Sequence, residues 1–360
     1  MQRSVVEKVC FFLAGWAVLQ TCPAGDPLIE VHIEGRRIEG TPLDWSPRRV
    51  TLLTPGGVRE DISPVAVERF RQLNGIFAPC SQRQARRQVR SEFGPAFSVT
   101  ATEHYLVVHP RDSRDLWGPH LETLYRDFHG FFRHHACSVE KVRFPLVVIV
   151  LPSRDDLLRS ATRGGRSASA RLAGYYCDRS NRIWVHTAPP TAGRLPLDAT
   201  VTLRHEAAHQ LAFNTGIHPR FGTTPLWVAE GLAVLFEMPS ASAAVGAEAS
   251  PTDHQVADRL AVGRVTDKLS RRSIGLQSLI DHDRDFQRTP DAAYSQSASL
   301  TRFLVARHVV RYLRYLKCIA SRPHFSRYRT TARRADFESS FGADVARLET
   351  SWKAHVDANP

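Results

Sequence analysis

The sequence predicts an α+β chain in which a small β-rich module precedes a larger region of mixed strands and helices. Three observations carry that expectation. Residues 28–62 alternate apolar and polar positions between glycine and proline turn signals, the period of half-buried antiparallel strands. From residue 97 strand-like and helix-like stretches take turns, and beyond residue 197 the apolar spacing is helical almost to the end.

Taken in order, LIEVHIEG, RRIEG, RRVTLLTPGG and VREDIS supply the short strands of a module spanning 26–80, with Ser63–Leu73 expected as a short helix. Residues 81–96 form a basic linker with Arg83, Arg86, Arg87 and Arg90 at helical spacing: a solvated helix face, or a patch for an anionic polymer. The remaining domain, 97–360, opens with FSVTATEHYLVVHP as a strand pair or one long strand. WGPHLETLYRDFHGFFRHH follows as an amphipathic helix, and FPLVVIVLPS as a strand covered on both faces. DDLLRSA starts a helix that Ser153 can cap, and LAGYYCDRSNRIWVHT reads as a hairpin turning near Asp178–Asn181. LDATVTLRHEAAHQLAFNTG is a helix with Asp198 or Thr200 as cap and Gly216 as stop. PLWVAEGLAVLFE, 225–237, is a second helix with Pro225 in its first turn. Residues 239–255 read as a surface excursion; SIGLQSLIDH, AAYSQSASLTRFLVARHVVRYLRYL and DVARLETSWKAHV are helical in period.

Composition narrows the function. A chain of 360 residues that is 42% hydrophobic can bury a core without needing cross-links to fold. The net charge of +12 comes almost entirely from arginine spread along the chain, so no nucleic-acid partner is expected. No apolar run reaches the roughly 18–20 residues of a membrane span. Residues 1–25 differ from the rest: Arg3 and Lys8 precede the apolar stretch Val9–Leu19, which exits through small residues to Gly25. That is the pattern of a secretory signal peptide cleaved near Ala24, and it implies export to the periplasm, the cell surface or the medium. A buried N-terminal helix is the alternative. Cys22 follows Leu19-Gln20-Thr21, a poor lipoprotein box, so lipid anchoring is not favoured. Cys80, Cys137, Cys177 and Cys318 would remain; none has CxxC spacing, and an exported chain allows one or two bridges among them, buried inert thiols being the default.

The chemistry concentrates in His205-Glu206-Ala207-Ala208-His209. On a helix, residues i and i+4 share a face, so both imidazoles can reach one ion. Glu206 lies about 100° round the axis and can address a water without ligating. With 16 histidines in the chain an HExxH string is expected by chance only about 0.03 times. Catalytic zinc takes three protein ligands, and Glu230, on the second helix, is the candidate for the third.

HEAAH followed by WVAEGLA resembles the gluzincin zinc metallopeptidases, and most closely peptidase-like domains of unknown function exported by bacteria. The resemblance is tight over 199–237, weaker over 97–198, and visible again at AAYSQSASLTRFLV and FESSFGADVARLETSWKAHV. It implies a zincin-like fold, a small mixed sheet with its edge strand from Tyr176–Thr187 lining a cleft above the metal helix, with C-terminal helices. It also implies zinc as cofactor, a peptide or protein as substrate, His205, His209 and Glu230 as ligands, and Glu206 as general base. Tyr294, opening a later helix, matches the place from which many gluzincins supply an oxyanion donor; a core-anchoring tyrosine is the other reading. One departure is plain. Where many gluzincins carry an aspartate four residues after the glutamate ligand, this chain has Val234; Glu237 either takes over the orienting of a histidine or is a solvated helix-end residue.

Zinc-dependent peptide hydrolysis is therefore the function expected. A catalytically silent metal-stabilised scaffold of the same fold is the alternative, and an anionic-polymer-binding protein the less favoured one.

Overall fold

The computed structural model describes residues 26–166, 172–186, 194–238 and 274–358. The expected leader and the 239–255 excursion lie outside the described residues. Among the described residues, two sheets and ten α-helices make up a mixed α+β chain, which divides into two compact units. One comprises Met1–Arg111, Arg143–Val148 and Cys177–Arg182, the other Asp112–Val142, Ile149–Tyr176 and Ile183–Pro360.

In the first unit, strands β1 (Pro27–Ile33), β2 (Arg36–Ser46), β3 (Arg49–Leu53), β4 (Arg59–Ile62) and β5 (Arg69–Ile76) form an antiparallel sheet in the order β4-β3-β2-β1-β5. The register pairs Ile29 with Gly40 and Val31 with Ile38, and alternate residues Ile29, Val31, Ile38, Val50 and Leu52 are buried together. Gly40 is required there, because a Cβ would stand 2.6 Å from the Leu53 carbonyl oxygen. The helix expected over Ser63–Leu73 is absent. A single 3-10 turn, Pro64–Ala66, leads into β5, which pairs antiparallel with the open edge of β1, Val31 opposite Phe70. Phe70 packs on the sheet's core, so tertiary pairing overrides local helix propensity.

Helix α1 (Gln82–Phe93) begins with a reciprocal capping box between Ser81 and Gln84 and buries Ala85 and Val89. Its arginines face outward, and the Glu92 carboxylate takes a bidentate bond from Arg182 at 2.6 and 2.8 Å. Strands β6 (Phe97–Ala101) and β7 (Tyr105–Pro110) are an antiparallel pair, as one of the two sequence readings had it.

The second sheet has the order β6-β7-β8-β10-β9, with β8 (Leu146–Leu151) buried along its whole length and β9 (Gly174–Cys177) at the end, beside β10 (Arg182–His186). Around the second unit's strands stand α2 (Trp117–His134), α3 (Arg154–Arg163, capped by Ser153), α4 (Leu197–Asn214), α5 (Leu226–Val234), α6 (Leu276–Asp281), α7 (Asp285–Arg288), α8 (Pro290–Ala320), α9 (Thr330–Phe341) and α10 (Val345–Asp357). The periodic reading missed α9. Neither Asp198 nor Thr200 caps α4: the helix starts after Pro196, with both residues inside it. Gly216 does end it, in the left-handed region at φ 73°. Cys80, Cys137, Cys177 and Cys318 are free thiols. Among the described residues no helix is long and apolar enough to cross a membrane.

Candidate metal centre

Two helices build the site, and the sequence explains how each is held. On α4 the buried stripe Leu203, Ala207, Ala208 and Leu211 faces the core and turns His205, Glu206 and His209 toward a partly open side. On α5 the fully buried Trp227 stacks on Tyr315 of α8 at 5.8 Å and meets Phe337 of α9 edge-on at 6.3 Å. Leu226 N–H donates to Asp283 Oδ1 at 3.0 Å, capping α5, and Arg333 grips the same carboxylate at 3.0 and 2.7 Å.

Three donor atoms converge between these helices. His205 Nε2 lies 3.2 Å from His209 Nε2 and 3.2 Å from Glu230 Oε2, and His209 Nε2 lies 3.5 Å from the same oxygen. Tetrahedral zinc with ligand bonds of about 2.0–2.2 Å separates its donors by about 3.3–3.6 Å, so the residues present fit such an ion. Their side chains are 17%, 11% and 14% exposed, which leaves one side of the cluster accessible. His205, His209 and Glu230 are thus brought together as a set of donors with the spacing to hold a metal ion.

The surroundings orient these donors. His205 Nδ1 sits 3.0 Å from Glu237 Oε1, and a carboxylate there can only accept, so the ring donates from Nδ1, which would leave Nε2 as the nitrogen to face a cation once one displaces its proton. Glu237 is therefore no solvated helix-end residue. Burial pushes the His205 pKa down, but bonds to the Glu230 and Glu237 carboxylates outweigh it and, without a cation, hold the ring's pKa well above its ordinary value. Burial alone would raise the Glu230 pKa; the neighbouring His209 and His205 lower it far below the usual carboxylate range.

Glu206 Oε2 accepts the backbone N–H of Tyr176, on the terminal strand β9, at 2.7 Å. The Tyr176 ring stacks on Phe213, one helical turn beyond His209, at 5.7 Å. Gly174 lets β9 lie this close to α4, since a Cβ there would come within 2.9 Å of Thr202. Tyr294 on α8 is 45% exposed, which excludes the core-anchoring reading. The negative charge of Glu230 first, then partial burial and Glu206, raise its hydroxyl pKa further above the usual value.

Periodicity overlooked Arg204. It precedes HEAAH, lies on the buried face with Leu203 and Ala208, and is 1% exposed. A charge at an inward helical position is the signal that would have found it. Asp127, Asp283 and the Tyr176 N–H carried no such local mark.

A family profile described as "Protein of unknown function (DUF1570)" matches residues 199–326, the stretch that contains all of α4 but its first two residues, α5 and Tyr294. No curated protein matches the chain. Among solved structures the chain is similar to the M1 zinc metallopeptidase of Deinococcus radiodurans, at 13% identity and a TM-score of 0.38 over 71% of this chain and 50% of that one. A point mutant of the same enzyme is 14% identical with a TM-score of 0.38. The mutant bound to a Tyr-Ser-Ala substrate is 14% identical with a TM-score of 0.37. The chain spans half the length of those enzymes.

Proposed function

We propose that this chain is a zinc-dependent peptidase of zincin-like fold in which His205, His209 and Glu230 hold the cation and Glu206 is the general base. The convergence of the three donor atoms at 3.2, 3.2 and 3.5 Å carries the reading. When bound, zinc supplies Lewis acidity, which polarises a carbonyl and acidifies water. The protein's own groups do the rest. Glu206 is steadied by the Tyr176 N–H through Oε2, leaving Oε1 to take a proton from water and return it to the leaving amine. Glu237 keeps His205 Nε2 aimed at the donor cluster. The Tyr294 hydroxyl, its proton held by the nearby carboxylates, is the donor for developing negative charge on the substrate oxygen. An intact Glu206 argues against the silent scaffold, which has no use for a general base.

Two measurements test this. Elemental analysis should find one zinc per chain in the wild type and none in His205→Ala. Glu206→Gln should keep the zinc and lose hydrolysis of a peptide library by at least about a hundredfold. A Glu206→Gln protein that cleaves at the wild-type rate would overturn the assignment.

A further inference from the structure

The structure assigns Arg204 a positioning role: it holds the chain just beyond α5 so that Glu237 meets His205 and sets that imidazole for the cation. The inference rests on the metal-site reading above. Consecutive residues of α4 grip one short segment. His205 meets the side chain of Glu237, while Arg204 takes the backbone around it. Arg204 Nε donates to the carbonyls of Phe236 at 2.9 Å and Glu237 at 3.1 Å, and Nη2 donates to Met238 at 3.0 Å and to Asp127 Oδ2 at 2.8 Å.

The segment needs such a hold. Helix α5 ends at Val234, and the Glu237 N–H reaches back to the Val234 carbonyl only at a long 3.4 Å. Phe236 wedges against Phe128 and Phe131 of α2 at 5.0 and 5.7 Å, but nothing in that apolar contact sets the direction of the next side chain. Three carbonyls turned toward one guanidinium do set it, because they fix successive peptide planes. Burying the guanidinium is costly unless it is paired and fully bonded. Asp127, from α2, supplies the opposite charge; its side chain is 8% exposed against 1% for Arg204. Lysine could not replace the planar fork, since a single ammonium cannot span four acceptors spread over this arc.

A double-mutant cycle on zinc affinity, read by chelator competition, tests the role. Glu237→Gln alone should weaken zinc about tenfold to a hundredfold, and Arg204→Lys alone about tenfold. If Arg204 acts through Glu237, adding Arg204→Lys to Glu237→Gln costs less than about a further twofold. Losses that multiply, or Arg204→Lys binding zinc as wild type does, overturn the inference. Trp352→Phe, which loses the Nε1–H bond to Ser299 at 3.0 Å, serves as a destabilised control whose zinc affinity should not move. A loss of affinity in that control equal to that in Arg204→Lys also overturns it. Should Arg204→Lys fail to fold, Asp127→Asn keeps the arginine and removes one anchor; the same cycle with Glu237→Gln should again be non-additive, and additivity there sinks the idea. Wild-type protein without His205-dependent zinc would overturn the metal reading itself, an outcome distinct from an additive cycle in protein that does bind zinc.

Discussion

Tyr294 and His218 carry the sharpest expectations for single residues. The Tyr294 hydroxyl lies in the field of Glu230 and Glu206 on a ring that is 45% exposed and edge-on to Phe286 at 5.2 Å. Tyr294→Phe should therefore keep its zinc and its fold while kcat falls about a hundredfold, as for loss of one oxyanion donor. Elemental analysis beside steady-state kinetics checks it; unchanged kcat removes Tyr294 from the mechanism. His218 is 1% exposed, its Nδ1 lies 3.2 Å from the Ile217 carbonyl, and its ring stands edge-on to Phe213 at 5.3 Å. Burial first, and the nearby His209 second, push its pKa down to about 3. Below its ordinary value of 6.5 the unfolded chain binds a proton that the folded one refuses. The stability from a neutral His218 is thus complete above about pH 6.5 and drains away toward pH 3, on the order of 1 kcal/mol per pH unit. Urea unfolding of metal-free protein at pH 7 and pH 5 should show a steeper acid loss for wild type than for His218→Gln. Equal slopes would refute the argument.

Helix α5 shows how an element brings Glu230 to its place. Gly231, beside Glu230, lets α5 lie against α8: an added Cβ would stand 2.1 Å from Thr301 Oγ1 and 2.7 Å from the Ser297 carbonyl oxygen. A threonine rotamer can yield, but a helix carbonyl cannot, so α5 must move outward. Gly231→Ala is expected to lower stability by about 1–3 kcal/mol despite alanine's better helix propensity. It should also weaken zinc, since Glu230 rides on the displaced helix. Calorimetry and chelator titration together test this, and a stabilised variant would contradict the packing. Element identity was largely legible from periodicity, α4 and α5 included, because apolar spacing is a local property. β5 was not. Its eight residues turn into strand only because β1 offers an unpaired edge and the sheet's core a place for Phe70.

For the molecule as a whole, a cation bound as proposed would tie α4 to α5 and so contribute to the folded state by mass action. Free zinc at about a hundredfold over its Kd would add about 2.7 kcal/mol, or roughly 4 °C in Tm for a chain of this size. Adding EDTA should lower the wild-type Tm by that amount and leave His205→Ala unaffected in a thermal-shift experiment. An identical wild-type Tm with and without chelator would count against a cation held by both helices.

By itself the sequence determined the α+β composition, most of the helices, and the placing of His205 and His209 on one face with Glu206 beside it. All of these follow from spacing within a single turn or strand, where covalent geometry decides. Tertiary structure alone decided that Glu230 Oε2, 21 positions beyond His209, stands beside both imidazoles. It also decided that Glu237 turns to His205, that a strand N–H 30 positions upstream steadies Glu206, and that Arg204 finds Asp127 77 positions away. The physical reason is the same in each case. Partners far apart in the chain meet through the packing of buried faces, at Trp227, Gly231 and Phe236, and no periodicity along the sequence encodes which distant carboxylate or amide the packing will deliver.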